Sequence, residues 1–398
     1  MTSFSSYNFN GKKAIVRVDF NVPLSKETLK ITDDKRMRAA LPTIKKILSD
    51  GGAVVLLSHL GRPKNGPEST FSLKHLCTHL EKISEAKVNF TPDCIGIEAE
   101  NAAENLKTGE ILLVENVRFY KEETNGNLPF AKQLSKLGDC FVNDAFGTAH
   151  RAHASTTHIA SYFKSENKMC GLLMNAEIES AKKVMEETKR PFTAIVGGAK
   201  VSDKVLIVEN LMKKADHIII GGGMAYTFKK ALGGNIGNSL CEDERIETCK
   251  KILENASEKG VQIHLPVDSI IANEFSKEAK TALKSSAEIP DGWMGLDIGP
   301  EAAVEFAAII KASKTVLWNG PMGVFEMVAF ENGTRSIANA VAEATQNGAY
   351  SLIGGGDSAA AAKQFDVVSQ ISHVSTGGGA LLEYFEGKVL PGVAAIEQ

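Results

Sequence analysis

Short runs of β-branched and aliphatic residues alternate with stretches of helical spacing along the whole chain, and this alternation limits the fold more than any other feature. KAIVRVD (13–19), AVVLLS (53–58), ILLVEN (111–116) and CFVND (140–144) fall in the first half. FTAIVG (192–197), HIIIG (217–221), VQIHL (261–265), TVLWN (315–319), YSLIG (350–354) and SHVST (372–376) fall in the second. Runs without polar alternation suit strands covered on both faces, as in parallel sheets. Between two of them, Met37, Ala40, Leu41, Ile44, Ile47 and Leu48 make one helical stripe that Gly51 stops. Pro42 is expected to kink that helix or to lie near its start. After GGAK, the stripe Val201, Val205, Val208 and Met212 predicts a helix starting there, with Lys200 and Lys204 on one face.

The expectation is an α/β chain. One sheet for all these strands would be unusually wide, so two doubly wound, Rossmann-like parallel-sheet lobes are expected. Residues 1–171 would form the first and 172–379 the second, with a long interdomain helix over 172–189 serving as a packed hinge.

Composition narrows the partners. The net charge is −3, with 23% charged residues, which favours neither nucleic acid nor an acidic membrane surface. An anion site must therefore be a local patch. The opening MTSFSSYNFNGKK has no apolar run or cleavage signature, and no apolar run approaches the roughly 20 residues that span a bilayer. None of the six cysteines forms a CxxC pair, which argues against structural zinc and fits a reducing cytoplasm. A cytoplasmic protein without membrane or nucleic-acid partners is expected.

Ligands of parallel α/β sheets bind beyond the carboxyl ends of the strands. In the first half these ends are polar and cationic. RVD runs into Phe20 and Asn21, AVVLLS into His59-Leu60-Gly61-Arg62, ILLVEN into Arg118, and CFVND into a stretch with His150, Arg151 and His153; Arg36 adds a fourth arginine. Arginine does not ligate metal, and its planar fork suits phosphate and carboxylate, so the cluster reads as an anion clamp. In the second half the ends are glycine-rich: Gly197-Gly198-Ala199-Lys200, Gly221-Gly222-Gly223, Gly320-Pro321-Met322-Gly323, Gly354-Gly355-Gly356-Asp357-Ser358 and Gly377-Gly378-Gly379. Such turns let a ligand approach backbone amides, and helix starts attract phosphate. Lys200 and Lys204 are badly placed at a helix start unless an anion compensates them. Asp357 either holds Mg²⁺ or caps its helix; both readings stay open. No Walker-type loop and no dinucleotide fingerprint occurs. A cationic mouth opposite a nucleotide-like cradle suggests phosphoryl transfer to or from a small anion.

RVDFNVPL, SHLGRP, ENVRF, NDAFGTAHRAHAS, GGAKVSDK, GGGMAYTF, WNGPMGVFE, GGGDSAAA and STGGGA resemble, in order, the hallmark segments of the phosphoglycerate kinase family. The resemblance runs from near residue 13 to near 380, in a chain of bacterial length. It implies transfer of a phosphoryl group between 1,3-bisphosphoglycerate and Mg-ADP by hinge closure of two lobes, in an enzyme that works as a monomer. Asp19, Phe20, Asn21, Arg36, His59, Leu60, Gly61, Arg62, Arg118 and Arg151 would bind 3-phosphoglycerate, with Arg36 nearest its carboxylate and Arg62, Arg118 and Arg151 on the phosphate that stays. His150 and His153 would support the basic patch from behind. Lys200 and Lys204 would neutralise the migrating group. Gly295 and Asn319 would line the nucleotide pocket, Glu326 would bond the ribose, and Gly355, Gly356 and Ser358 would pack around the phosphates. Asp357 would hold Mg²⁺, and the amides of Gly377 and Gly378 would stabilise the group in flight. The tail, 380–398, would return to the first lobe. Two other readings remain: a nicotinamide-dependent dehydrogenase, disfavoured by the missing fingerprint, and a non-catalytic anion-binding module.

Overall fold

The computed structural model describes residues 3–64 and 66–397. The chain divides into two units, Met1–Ile178 with Val389–Gln398, and Glu179–Lys388.

The first unit is built on β1 (Lys13–Arg17), β2 (Ala53–Leu57), β3 (Val88–Thr91), β4 (Ile111–Val114), β5 (Cys140–Asn143) and β6 (Lys168–Cys170). They form one parallel sheet in the order β3-β4-β2-β1-β5-β6. Every residue of β2, β4 and β5 is buried, as their unbroken apolar runs predict. The helix Lys35–Ser49 lays Met37, Ala40, Ile44 and Ile47 against the core, while Leu41 and Leu48 are half-buried. It runs unbroken across Pro42, which stands at its middle rather than near its start. Gly51, at φ +83°, ends it in the left-handed conformation that glycine adopts at helix termini.

The second unit contains β7 (Phe192–Val196), β8 (His217–Ile220), β9 (Asn235–Ile236), β10 (Gln262–His264), β11 (Asp268–Ala272), β12 (Thr281–Ser285), β13 (Glu288–Ile289), β14 (Met294–Ile298), β15 (Thr315–Asn319), β16 (Tyr350–Ile353) and β17 (His373–Val374). Six of these make a parallel sheet in the order β10-β8-β7-β15-β16-β17. Unlike the expectation of parallel sheets alone, β12-β11-β14 form a small antiparallel sheet.

The expected boundary moves at both ends. The division falls inside the helix Leu172–Met185 rather than before it, and that helix stops short of residue 189. Residues 380–388, expected in the first unit, belong to the second. The helix Gly379–Phe385 packs on the helix Val205–Leu211, and Asn210 Nδ2 donates to the Phe385 carbonyl at 2.7 Å. Only the last residues return to the first unit, where Asn143 Nδ2 donates to the Gly392 carbonyl at 3.0 Å.

Candidate active site

The four cationic strand ends of the first unit belong to β4, β2, β1 and β5, which are neighbours in the sheet. The chain leaves β1 in one direction across the sheet and enters β5 in the other, so the loops after these two strands flank a crevice. Arg36 Nη1 bonds both oxygens of Asp19 at 3.1 Å and the Asn21 carbonyl at 3.2 Å, which fixes the guanidinium beside the end of β1. Asn21 Oδ1 accepts from the Gly61 amide at 2.8 Å, tying the loops after β1 and β2. Arg118 Nη1 donates to the Gly61 carbonyl at 2.9 Å, and its buried Nε has no partner among the described residues. Arg151 Nε bonds His150 Nε2 at 3.1 Å. Arg62 is exposed on the loop after β2. Phe20 and Leu60 are core residues, and the Phe20 amide already donates to Ser58 Oγ at 2.9 Å.

Crowded positive charge governs protonation here. Burial, with Arg17, Arg118 and Arg36, holds His59 well below the usual imidazole range. Neutral, it gains no ion pair from its 4.0 Å approach to Asp19. Burial, with Arg17, Arg118 and Arg151, pushes His153 down to about 4. Both imidazoles are therefore uncharged at neutral pH, and the patch draws its charge from arginine. Even Arg118 is lowered, to about 10, by burial and by Arg17 and Arg151. A doubly charged anion placed among these groups would relieve that repulsion.

The sequence reading missed Arg17. It is fully buried, its Nε donates to Ser155 Oγ at 2.8 Å, and its Nη2 lies 3.3 Å from His59 Nδ1. The signal was a lone arginine inside an otherwise apolar strand. Also missed were Ser155 and the buried Glu123 that holds it.

In the second unit the glycine loops follow β8, β7, β15, β16 and β17, again consecutive neighbours. The topological crevice lies between β7 and β15. There the two turns touch: a Cβ on Gly197 would stand 2.1 Å from the Pro321 carbonyl oxygen, and one on Gly320 (φ +108°) 2.2 Å from that of Gly197. Only glycine permits this approach. Lys204 Nζ donates to Asn319 Oδ1, and Asn319 Nδ2 donates to the Gly354 carbonyl at 2.8 Å, linking the ends of β15 and β16. Burial lowers Lys204, while Asp203, Asp357 and Glu386 oppose that shift. Ser358 Oγ accepts from the Gly320 amide at 2.6 Å. Asn319 and Ser358 thus brace the loops from beneath and do not line the adjoining cavity.

That cavity, of about 700 Å³, is lined by Gly198, Gly222, Gly223, Tyr226, Gly295, Met322, Glu326 and Asp357 among others. A Cβ on Gly295 would lie 1.9 Å from Tyr226 Oη, so glycine there shapes the floor. The helix expected at Lys200 starts only at Val205, with Lys204 as its cap residue. Lys200 and Lys204 therefore share no helix face. The intervening segment turns instead, held by Ser202, whose amide and hydroxyl bond Glu242 at 3.0 and 2.6 Å. The amide of Gly377 is engaged by Ser375 Oγ at 3.0 Å, and Gly378 (φ +44°) caps the next helix.

Asp357 is not a cap. Gly355, at φ +91°, holds that position, and Asp357 stands exposed on the first turn. Among the described residues no three His, Cys, Asp or Glu side chains converge to hold a metal. One carboxylate at the edge of a cavity lined by glycine turns suits Mg²⁺, which is commonly held by one or two carboxylates together with waters and substrate phosphates.

Two sheets, one ending in arginines and one in glycine loops, define a two-unit α/β protein of the phosphotransferase class. The phosphoglycerate kinase family profile matches residues 4–388. A phosphoglycerate kinase of Porphyromonas gingivalis is 50% identical, over 99% of this chain and all of that protein. A chloroplastic one of Volvox carteri is 51% identical, over 98% of this chain and 84% of that protein. The solved structure of phosphoglycerate kinase from Coxiella burnetii superposes with a TM-score of 0.89 at 41% identity, over 99% of this chain and 98% of that one. The chain belongs to the phosphoglycerate kinase family, and it is an enzyme.

Proposed function

We propose that the chain moves a phosphoryl group reversibly between 1,3-bisphosphoglycerate and Mg-ADP, giving 3-phosphoglycerate and ATP. The observation that carries this reading is the grouping of arginines on the neighbouring ends of β4, β2, β1 and β5, and of glycine loops on those of β8, β7, β15, β16 and β17. The first unit holds the phospho-acid and the second the Mg-nucleotide.

In this reading Arg118, Arg151 and Arg62 grip the phosphate that stays, and Arg36, oriented by Asp19, meets the carboxylate that is phosphorylated. Lys204 and Lys200 neutralise the group in transfer. Glu326 reaches the ribose and the apolar walls of the cavity hold the base. The amide of Gly378, and that of Gly377 once released from Ser375, donate to the migrating oxygens. Asp357 would hold Mg²⁺, and the ion would supply positive charge against the nucleotide phosphates. The reaction needs alignment, charge neutralisation and exclusion of water more than covalent help. A cytoplasmic location suits six cysteines that form no disulfide among the described residues.

Titration calorimetry tests the division of labour. Arg118→Ala should abolish measurable 3-phosphoglycerate binding and leave Mg-ADP affinity within about twofold, while Lys204→Ala should do the reverse. Loss of both ligands in either variant would contradict it.

A further inference from the structure

We propose that Glu123 is a positioning residue for the phospho-acid site, acting through Ser155 and Arg17; this rests on the function proposed above. Glu123 lies in the short helix Lys121–Thr124, just after the segment that carries Arg118. It is fully buried. Its Oε2 accepts from the Ser155 amide at 2.9 Å, its Oε1 from Ser155 Oγ at 2.6 Å, and its own carbonyl from the Ala154 amide at 2.9 Å. One residue thereby fastens the loop of Arg118 to the loop of Arg151 and His153.

The chain of bonds continues inward. Because Ser155 Oγ gives its proton to Glu123, its lone pairs face Arg17 Nε at 2.8 Å. Arg17 Nη1 is spent on the Val18 carbonyl, which leaves Nη2 directed at His59 Nδ1, 3.3 Å away. His59 in turn stands 4.0 Å from the Asp19 carboxylate that orients Arg36. None of these bonds requires substrate, so they preset the positions of groups on four neighbouring strand ends. Glu123 also supplies buried negative charge, which favours the protonated forms of both Arg17 and Arg118. His153 Nδ1, 3.8 Å from Oε1, is too far for a hydrogen bond.

Two roles for Glu123 predict opposite signs. As mere background charge it repels an anionic ligand, so neutralising it would tighten phospho-acid binding. As a positioning group it supports the arginines, so neutralising it weakens binding. The test compares wild type, Glu123→Gln and Ser155→Ala by steady-state kinetics with 3-phosphoglycerate and Mg-ATP, alongside thermal melting. Glu123→Gln keeps an acceptor for the Ser155 amide but reverses the donor at Oγ, which turns that hydroxyl proton toward Arg17. The expected result is a rise of roughly tenfold in the KM for 3-phosphoglycerate in both variants, with the KM for Mg-ATP within about twofold of wild type. A lowered or unchanged 3-phosphoglycerate KM in Glu123→Gln would overturn the proposal, as would equal rises in both KM values. Should Glu123→Gln fail to fold, Ser155→Ala decides alone by the same criterion. Absence of turnover in wild type would instead refute the proposed function.

Discussion

At the scale of single residues, function rests on groups whose freedom is already spent. Arg36 is half-exposed yet held on three acceptors, so its charge sits at a fixed place. Arg36→Ala should lower kcat by on the order of 10² with little change in nucleotide affinity, because electrostatic stabilisation at the moving group is lost. A near-normal kcat would remove Arg36 from that role. Asp357 makes the converse case: Asp357→Ala should weaken Mg-ADP binding and leave 3-phosphoglycerate binding intact, and calorimetry showing unaltered Mg-ADP affinity would contradict the assignment. Gly295 is fixed by space rather than charge. Gly295→Ala forces a methyl onto Tyr226 Oη, so it should cost about 1–3 kcal/mol of stability and loosen nucleotide binding. Chemical denaturation and ADP titration of that variant check both effects.

At the scale of elements, β1, β2, β4 and β5 of the first large sheet and all six strands of the second were legible as short apolar runs, whereas half-buried β3 and three-residue β6 were not. The segments after them were legible because arginine and triple glycine are costly to place at random. What escaped the sequence followed other physics. The antiparallel strands β11, β12 and β14 are mixed in polarity, with β12 mostly exposed, so their pattern resembles loop. The helix at Val205 begins late because Ser202 is drawn to Glu242, a contact between distant segments. Arg17 was hidden because strand alternation does not reveal that a buried cation has a serine, a carbonyl and an imidazole waiting. Asp144, at the end of β5, shows the same dependence on context. It accepts from the Met174 amide at 3.1 Å, anchoring the start of the helix Leu172–Met185. Burial pushes its carboxyl up to about 7, against hydrogen bonds from Thr43 and that helix start. The folded chain thus keeps a proton that the unfolded chain, with an ordinary value near ~4, has released. Stability from this group is full below about pH 4 and is lost as pH rises toward 7. Asp144→Asn should therefore lose less melting temperature than wild type between about pH 4 and 8, with Asp297, likewise raised to about 7, keeping its share. Identical slopes would show that Asp144 is not the source.

At the scale of the whole molecule, each unit carries its own sheet and its own strand-end array, and the chemistry assigned to each is separable. No helix among the described residues is long and apolar enough to cross a membrane. Ligand linkage reports on the second unit directly: Mg-ADP at about 100 times its Kd should stabilise the folded chain by about 2.7 kcal/mol, whereas NAD should leave the melting point unmoved. A comparable shift with NAD would favour the dehydrogenase reading. The most direct measurement is of the transferred group itself. The protein is incubated with Mg-ATP and 3-phosphoglycerate, and the acyl phosphate is trapped with hydroxylamine. One hydroxamate is expected for each ADP released, and none when either substrate is omitted. ADP release without hydroxamate, or hydroxamate formed without 3-phosphoglycerate, would contradict the proposed transfer.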